Sequence, residues 1–186
     1  MTDWRSTLGG VLDRAWCELE DFQTPRCGPA GLATLATTGP GGAPELRSVV
    51  LRRADRASGV VETLTDAATP KVAQLRAAPQ IGLLIWCPEL ALQIRLRAQA
   101  EVITGQDLPA DWAALPDAAR QNYGVTPDPG TPIGASDAYQ RIPERNRLAC
   151  LRAKIHQIDV VHLDPGHDIR ALFARADGWC GQWLAP

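Results

Sequence analysis

No apolar run in the 186-residue sequence approaches the roughly 20 residues of a membrane-spanning helix. The chain starts Met1-Thr2-Asp3-Trp4, with an acid where a secretory leader has a basic stretch, so no leader is expected. Neither sign of charge dominates. Nineteen Lys and Arg against 21 Asp and Glu leave a formal net charge of −2, which gives no bulk attraction to nucleic acid or to an anionic membrane. The five cysteines, Cys17, Cys27, Cys87, Cys150 and Cys180, are odd in number, scattered, and without a C-x-x-C pair. That speaks against structural zinc and against a disulfide framework, and makes a reducing, cytoplasmic location the expectation. The three histidines, His156, His162 and His167, lack a tight ligand spacing, so no metal is expected. A Gly-x-Ser-x-Gly elbow, a Walker loop and internal repeats are all missing.

What is present centres on Leu46 to Leu96. Leu46 to Arg53 and Val60 to Asp66 read as strands, separated by a turn at Asp55 to Gly59. Thr69-Pro70-Lys71 opens a helix, with threonine as N-cap and proline at the first helical position, and Pro79 closes it. Ile81 to Trp86 is apolar enough for a buried strand, and Leu92 to Arg97 alternates as a half-buried one that continues to about Ile103. Before this stretch, Trp4, Leu8, Val11, Leu12, Ala15, Trp16 and Leu19 predict an amphipathic helix from Asp3 to Glu20. Pro25 to Pro29 forms a linker into a strand over Gly31 to Thr37, and Gly39 to Gly42 is a turn. After it, Asp107 to Tyr123 looks helical despite Pro109 and Pro116, and Thr126 to Pro132 is a proline-rich loop. From Ala153 alternation returns, with Ile155, Gln157, Asp159 and Val161 on one face and His156, Ile158, Val160 and His162 on the other. Arg170 to Arg175 and Trp179 to Leu184 form a closing hairpin around Asp177-Gly178. Several strands with marginal helices suggest a barrel.

Three cations stand where a packed core gives them no reason. Arg47 and Arg52 bracket an apolar run, and Lys71 lies in the first turn of a helix, where the helix dipole disfavours positive charge. A bound phosphate would remove that conflict, and solvated surface charge is the plainer alternative. The five-residue spacing of Arg47 and Arg52 puts them on opposite faces of a flat strand, so both reach one phosphate only if the strand twists or bulges.

The order and spacing of Arg47-Ser48-Val49-Val50-Leu51-Arg52, Leu64-Thr65, Thr69-Pro70-Lys71, Pro79, Leu92-Gln93-Ile94, Ile133-Gly134-Ala135, Gln140, Trp179 and Leu184-Ala185-Pro186 resemble the pyridoxamine 5′-phosphate oxidase family of FMN-binding split β-barrels. The likeness covers roughly residues 30 to 186 and is closest from Arg47 to Ile94. It implies a mainly β (α+β) fold, a six-stranded antiparallel split barrel with flanking helices. Residues 1–186 would then be a single FMN-binding domain, with 1–28 its N-terminal helix and linker. By the same resemblance the cofactor is FMN, contacted by Arg47, Ser48, Val49, Val50, Leu51, Arg52, Leu64, Thr65, Pro70, Lys71, Gln93, Gln140, Arg141 and Arg170. Arg52, Tyr123 and Thr131 match substrate-side positions. The implied assembly is a homodimer with FMN at its interface, which also suits the six tryptophans.

The departures lie mostly on the substrate side. Pro70 replaces a residue that is often basic in the family. Pro127, Gly166 and Asp168 stand where the family carries substrate-binding arginine, arginine and histidine, and Val161 replaces a tryptophan that touches flavin. The expectation is therefore an FMN-dependent oxidoreductase with a small-molecule substrate other than pyridoxamine 5′-phosphate, and no catalytic acid or base can be assigned. The alternatives are a non-catalytic flavin store or sensor and, with less support from the acidic balance, a β-barrel nucleic-acid binder.

Overall fold

The computed structural model describes residues 3–21, 31–108 and 112–186. The Pro25–Pro29 linker and Pro109 lie outside them. The 3₁₀ turn Trp4–Ser6 leads into α1 (Leu8–Glu20), capped by the Thr7 hydroxyl, which accepts from the Gly10 amide at 3.1 Å. The single helix expected from Asp3 is therefore two pieces, because the Thr7 cap has extended backbone. The chain continues through β1 (Leu32–Thr38), β2 (Pro44–Asp55), β3 (Val60–Asp66), α2 (Pro70–Ala77), β4 (Gln80–Cys87) and β5 (Leu92–Thr104). Next come α3 (Asp117–Arg120), the two-residue strands β6 (Val125–Thr126) and β7 (Gln140–Arg141), β8 (Leu148–His162), β9 (Ile169–Ala174) and β10 (Gln182–Leu184).

The antiparallel pairings run β8–β3–β2–β1–β4–β5, and β5 pairs back onto β8, closing a six-stranded barrel. Beyond β8 the sheet extends through β9 and β10. Alternation along each strand sends Leu35, Leu51, Val61, Ile94, Leu96, Ile155 and Ile158 inward. The apolar stripe of α1 (Val11, Leu12, Ala15, Trp16, Leu19) joins the same core, as do Val72 and Leu75 of α2.

Three expectations need correction. Among the described residues the helix expected over Asp107 to Tyr123 reduces to a 3₁₀ turn at Gly105–Asp107 and the one-turn α3, with Pro116 as its N-cap, where a missing N–H costs nothing. β8 starts at Leu148, and its face assignment changes at a bulge. Arg97 faces Gln157 while Ala98 faces Ile155, so His156 is skipped. That extra residue turns Ile155 into the core beside Ile158 and leaves His156 exposed. Finally Cys87, at the end of β4, is disulfide-bonded, whereas Cys17, Cys150 and Cys180 are free. An odd count and wide spacing speak against a disulfide framework, but they do not exclude a single bridge, because sequence separation says nothing about which thiols the fold brings together.

Candidate functional site

The barrel opens where β2 parts from β3. Their pairing runs from Asp55–Val60 back to Leu51–Thr63, with a register shift between Leu51 and Arg53. Ahead of Leu51, β2 keeps β1 as its partner, while Leu64–Asp66 of β3 pair with β8. The Thr63 hydroxyl donates to the Val50 carbonyl at 2.7 Å, closing the seam with a side chain in place of a ladder bond. Beyond it lies a cleft of about 280 Å³. Ser48, Val49, Val50 and Arg52 line one wall, Leu64, Thr65 and Asp66 the other. Thr69 and Lys71 of the α2 entry close one end, and Asn122, Tyr123 and Pro129 approach from the segment after α3.

Asp66 holds these pieces together. Its carboxylate accepts from the Ala68 amide at 2.8 Å, the Gly124 amide at 2.8 Å and Arg147 Nε at 2.9 Å. Burial alone would raise its pKa, but the Arg147 bond and the two amides outweigh burial and hold it below the usual carboxylate value. Gly124 is required here. Its φ is +115°, and a Cβ would lie 1.9 Å from the Ile142 carbonyl oxygen.

The positive charge at the α2 end is held by neutral acceptors. Lys71 Nζ donates to the Thr65 hydroxyl at 2.9 Å. Arg47 donates to the Thr37 hydroxyl, to the Glu45 carbonyl at 3.1 Å and to Gln74 Oε1 at 3.0 Å. Among the described residues no carboxylate forms an ion pair with Arg47, Arg52 or Lys71. Burial and then the neighbouring Arg47 charge push the Lys71 amine below the ordinary lysine range, with Asp66 opposing. Burial likewise lowers Arg47, against a smaller opposing pull from Glu45. Two desolvated cations beside a helix N-terminus make a site for a phosphate dianion. The residues present therefore fit the phosphate of FMN, with the unpaired stretch of β2 beside them to meet a ring edge.

The sequence candidates divide into groups. Ser48, Val49, Val50, Arg52, Leu64, Thr65, Lys71 and Tyr123 come together around the cleft. Leu51 points into the barrel and Pro70 is exposed at the α2 start, packing near Gly130. Arg47 reaches Gln74 of α2, and Arg52, at the register shift between Leu51 and Arg53, lines the cleft and is felt by Tyr123. Gln93 stands on the outer sheet face in register with Trp86 and Val161, and Val161 with Arg170. Arg170 donates to Asp159 at 2.9 Å and 3.1 Å, and Arg95 shares that carboxylate at 2.6 Å. Gln140 and Arg141 form the exposed β7, and Thr131 sits in the exposed loop before it. None of Gln93, Gln140, Arg141, Arg170 and Thr131 is among the described residues lining the cleft. The sequence reading missed Asp66, Thr69, Asn122 and Pro129 as cleft residues. Asp66 had a usable signal, an acid closing a strand just before a helix cap. Asn122 and Pro129 had none.

A family model described as pyridoxamine 5′-phosphate oxidase, FMN-binding domain, matches residues 1–104. The pyridoxine/pyridoxamine 5′-phosphate oxidase of Gloeothece citriformis is 28% identical over 149 residues, 80% of this chain and 66% of that protein. The chain thus spans just under two thirds of that relative. The protein of the same description from Granulibacter bethesdensis is 26% identical over 172 residues, 90% of this chain and 71% of that one. Among solved structures, a pyridoxamine 5′-phosphate oxidase-related, FMN-binding protein from Nostoc punctiforme superposes with a TM-score of 0.70 at 22% identity, covering 100% of this chain and 99% of that one. PhzG from Burkholderia lata, solved with tetrahydrophenazine-1-carboxylic acid, gives 0.74 at 14% identity, with 100% and 97% covered. At these identities the two structures share the fold.

Proposed function

The chain belongs to the FMN-binding pyridoxamine 5′-phosphate oxidase family, and we propose that it is an FMN-dependent oxidoreductase acting on a small molecule other than pyridoxamine 5′-phosphate. The observation that carries this reading is the pair Arg47 and Lys71, desolvated, adjacent and in no ion pair among the described residues, at the mouth of α2. Lys71, the Thr65 and Thr69 hydroxyls and the α2 amides would bind the phosphate, with Arg47 supporting from beneath. The splayed β2 segment Ser48–Val50 would orient the ring edge. When bound, FMN supplies the electron-transfer chemistry, and the protein supplies anchorage, orientation and access. Pyridoxamine 5′-phosphate brings a second phosphate dianion, and Pro127, Gly166 and Asp168 offer it no cation.

The whole of residues 1–186 is read as one domain that works as a homodimer. Leu32, Leu46, Val50, Leu84 and Trp86 are exposed on neighbouring strands β2, β1 and β4, a strip continuous with the cleft wall at Val50. A second copy covering that strip would also bring Gln93, Gln140, Arg141 or Arg170 toward a flavin that they do not reach within one chain. The test is direct. The purified protein is loaded with FMN and with riboflavin, and both affinities are measured together with the mass by light scattering. A yellow dimer that prefers FMN by at least tenfold, and whose flavin is reduced by a nicotinamide nucleotide and turned over by an acceptor, supports the reading. A flavin that binds but is never reduced or turned over favours a store or sensor. Equal affinity for riboflavin removes the phosphate site.

A further inference from the structure

We propose that Gln74 is a positioning residue for the phosphate site: its neutral carboxamide holds the Arg47 guanidinium beside Lys71 without cancelling its charge, so that two positive charges stay open to one dianion. This rests on the FMN reading and deepens it, since neither Gln74 nor its partner Thr37 is among the described residues lining the cleft. Three side chains from three elements close a ring of hydrogen bonds. The Thr37 hydroxyl of β1 donates to Gln74 Oε1 of α2 at 2.7 Å. Arg47 of β2 donates from Nη2 to the same oxygen at 3.0 Å and from Nη1 to the Thr37 hydroxyl. A guanidinium has donors only, so the carbonyl end of the carboxamide has to face Arg47, and that end takes both bonds. Thr37 is only 5% exposed, and its hydroxyl is used in both directions. Gln74 follows Lys71 by three residues, which puts the two on one face of α2. A further bond, from Arg47 Nη1 to the Glu45 carbonyl at 3.1 Å, holds the fork from β2. Three of the five guanidinium N–H groups are thus spent on neutral oxygens, and two have no partner among the described residues.

The charge of the acceptor is what matters. Arg147, Arg152 and Arg170 each lie against a carboxylate, Asp66 at 2.9 Å, Glu62 at 2.7 Å and Asp159 at 2.9 Å. Arg47 meets a carboxamide, a hydroxyl and a carbonyl instead. Lys71 donates to a hydroxyl, that of Thr65. The two cations are close enough to act on each other. After burial, the Arg47 charge is the next cause holding the Lys71 amine below the ordinary lysine range, against the pull of Asp66. Two like charges fixed side by side by neutral groups cost free energy by themselves, and a phosphate dianion offsets that cost. A glutamate in place of Gln74 has the same shape, but its carboxylate would pair with Arg47 and remove both the repulsion and one of the two attractions.

The experiment compares the full chain with Gln74→Glu and Gln74→Met. FMN and riboflavin are titrated by fluorescence quenching, and each ligand-free protein is melted. Gln74→Glu should bind FMN about tenfold or more weakly, the equivalent of one charge-assisted contact, while riboflavin changes by less than about threefold. Its ligand-free melting temperature should stay level or rise, because Arg47 gains an ion pair. Gln74→Met removes the acceptor and keeps the charge of Arg47. It should melt lower than the unmodified protein, yet lose less of its preference for FMN than Gln74→Glu does. The two variants therefore rank in opposite orders for stability and for FMN preference, which a purely structural glutamine would not produce. A Gln74→Glu protein that keeps the full preference for FMN, that loses both flavins equally, or that melts well below the unmodified protein would overturn the proposal. So would a Gln74→Met protein that loses as much FMN preference as Gln74→Glu. If the unmodified protein prefers FMN and Gln74→Glu does so equally, only this inference falls. If the unmodified protein binds riboflavin as tightly as FMN, the phosphate site falls with it.

Discussion

Replacing Lys71 by methionine separates a phosphate anchor from a structural lysine. Methionine keeps an unbranched stem of similar length and removes the charge. In the ligand-free protein the amine donates to the Thr65 hydroxyl at 2.9 Å and lies near Arg47, both cations partly desolvated. Losing that hydrogen bond costs about 1 kcal/mol, and relief of repulsion and desolvation offsets a comparable amount. The ligand-free unfolding temperature should therefore move by less than about 3 °C, since 1 kcal/mol shifts a domain of this size by about 2–4 °C. FMN binding should respond very differently. A charge-assisted bond to phosphate contributes about 1.5–3 kcal/mol, which at 1.4 kcal/mol per decade weakens FMN by about 10- to 150-fold. Riboflavin, lacking the phosphate, should change by less than about threefold. Titrating both flavins by fluorescence quenching and melting the ligand-free variant gives all three numbers. There is a pH signature as well. Lys71 holds its proton less tightly folded than unfolded, so ligand-free stability rises as pH climbs through the window below the ordinary lysine value of 10.5. The variant lacks that increment. Equal losses for FMN and riboflavin, or a ligand-free melt lowered by more than about 5 °C, would refute the anchor and make Lys71 a structural residue.

Asp66→Asn leaves Arg147 facing a neutral amide and weakens the hold on Ala68 and Gly124, so unfolding free energy should drop by about 3–5 kcal/mol in denaturant titrations. In the unmodified protein the Asp66 carboxylate has its pKa lowered on folding. Its contribution is present above the ordinary aspartate value of 3.8 and disappears as pH falls through the lower folded value, which acid melts of the two proteins would reveal as a difference confined to neutral and mildly acid pH. His162 is buried, with its ring edge-on to Trp4 at 5.3 Å, and burial, then Arg5, lowers its pKa against the opposing charges of Asp164, Asp168 and Asp3. The folded state thus prefers the neutral ring, and stability should decline as pH drops below about the ordinary value of 6.5; His162→Phe should flatten that part of the melting-temperature profile, and an unchanged slope would exclude His162 as its source. Gly124→Ala drives a methyl into the Ile142 carbonyl at a φ of +115°, and should destabilise by about 1–3 kcal/mol in thermal unfolding while weakening flavin retention.

Local pattern carried a good part of this protein. Strand-like runs between turn signals placed β1 to β3, a short apolar run placed β4 and period-two alternation placed β5, because a half-buried strand must alternate whatever its partners are. The Thr69-Pro70 start and the stop ahead of Pro79 delimited α2, since proline is free to begin a helix and unable to continue one. A cation in the first turn of that helix pointed to an anion site there, because the conflict between Lys71 and the helix dipole is local and visible in the residues alone. The five-residue separation of Arg47 and Arg52 left their common reach to depend on a twist or bulge, and the register shift between Leu51 and Arg53 is such an irregularity.

Other features depend on which segments meet, and no local pattern records that. The bulge at His156 reverses one strand's faces only because β8 must match β5 on both sides of it. The cleft exists because β2 leaves β3 at Leu51 while β3 goes on to pair with β8, a choice made by barrel closure and not by either strand's residues. Asp66, Gly124 and Arg147 become one unit although Asp66 and Arg147 are 81 residues apart in sequence, because burial forces each charge and each amide to find a partner. Cys87 finds a disulfide partner for a similar reason of proximity. The sequence by itself determined most of the strands, α2 and the positive charge at its mouth; the tertiary structure decided that Arg47 lies beside Lys71 while Arg52 lines the cleft together with the buried Tyr123, since only packing sets which charges are desolvated together.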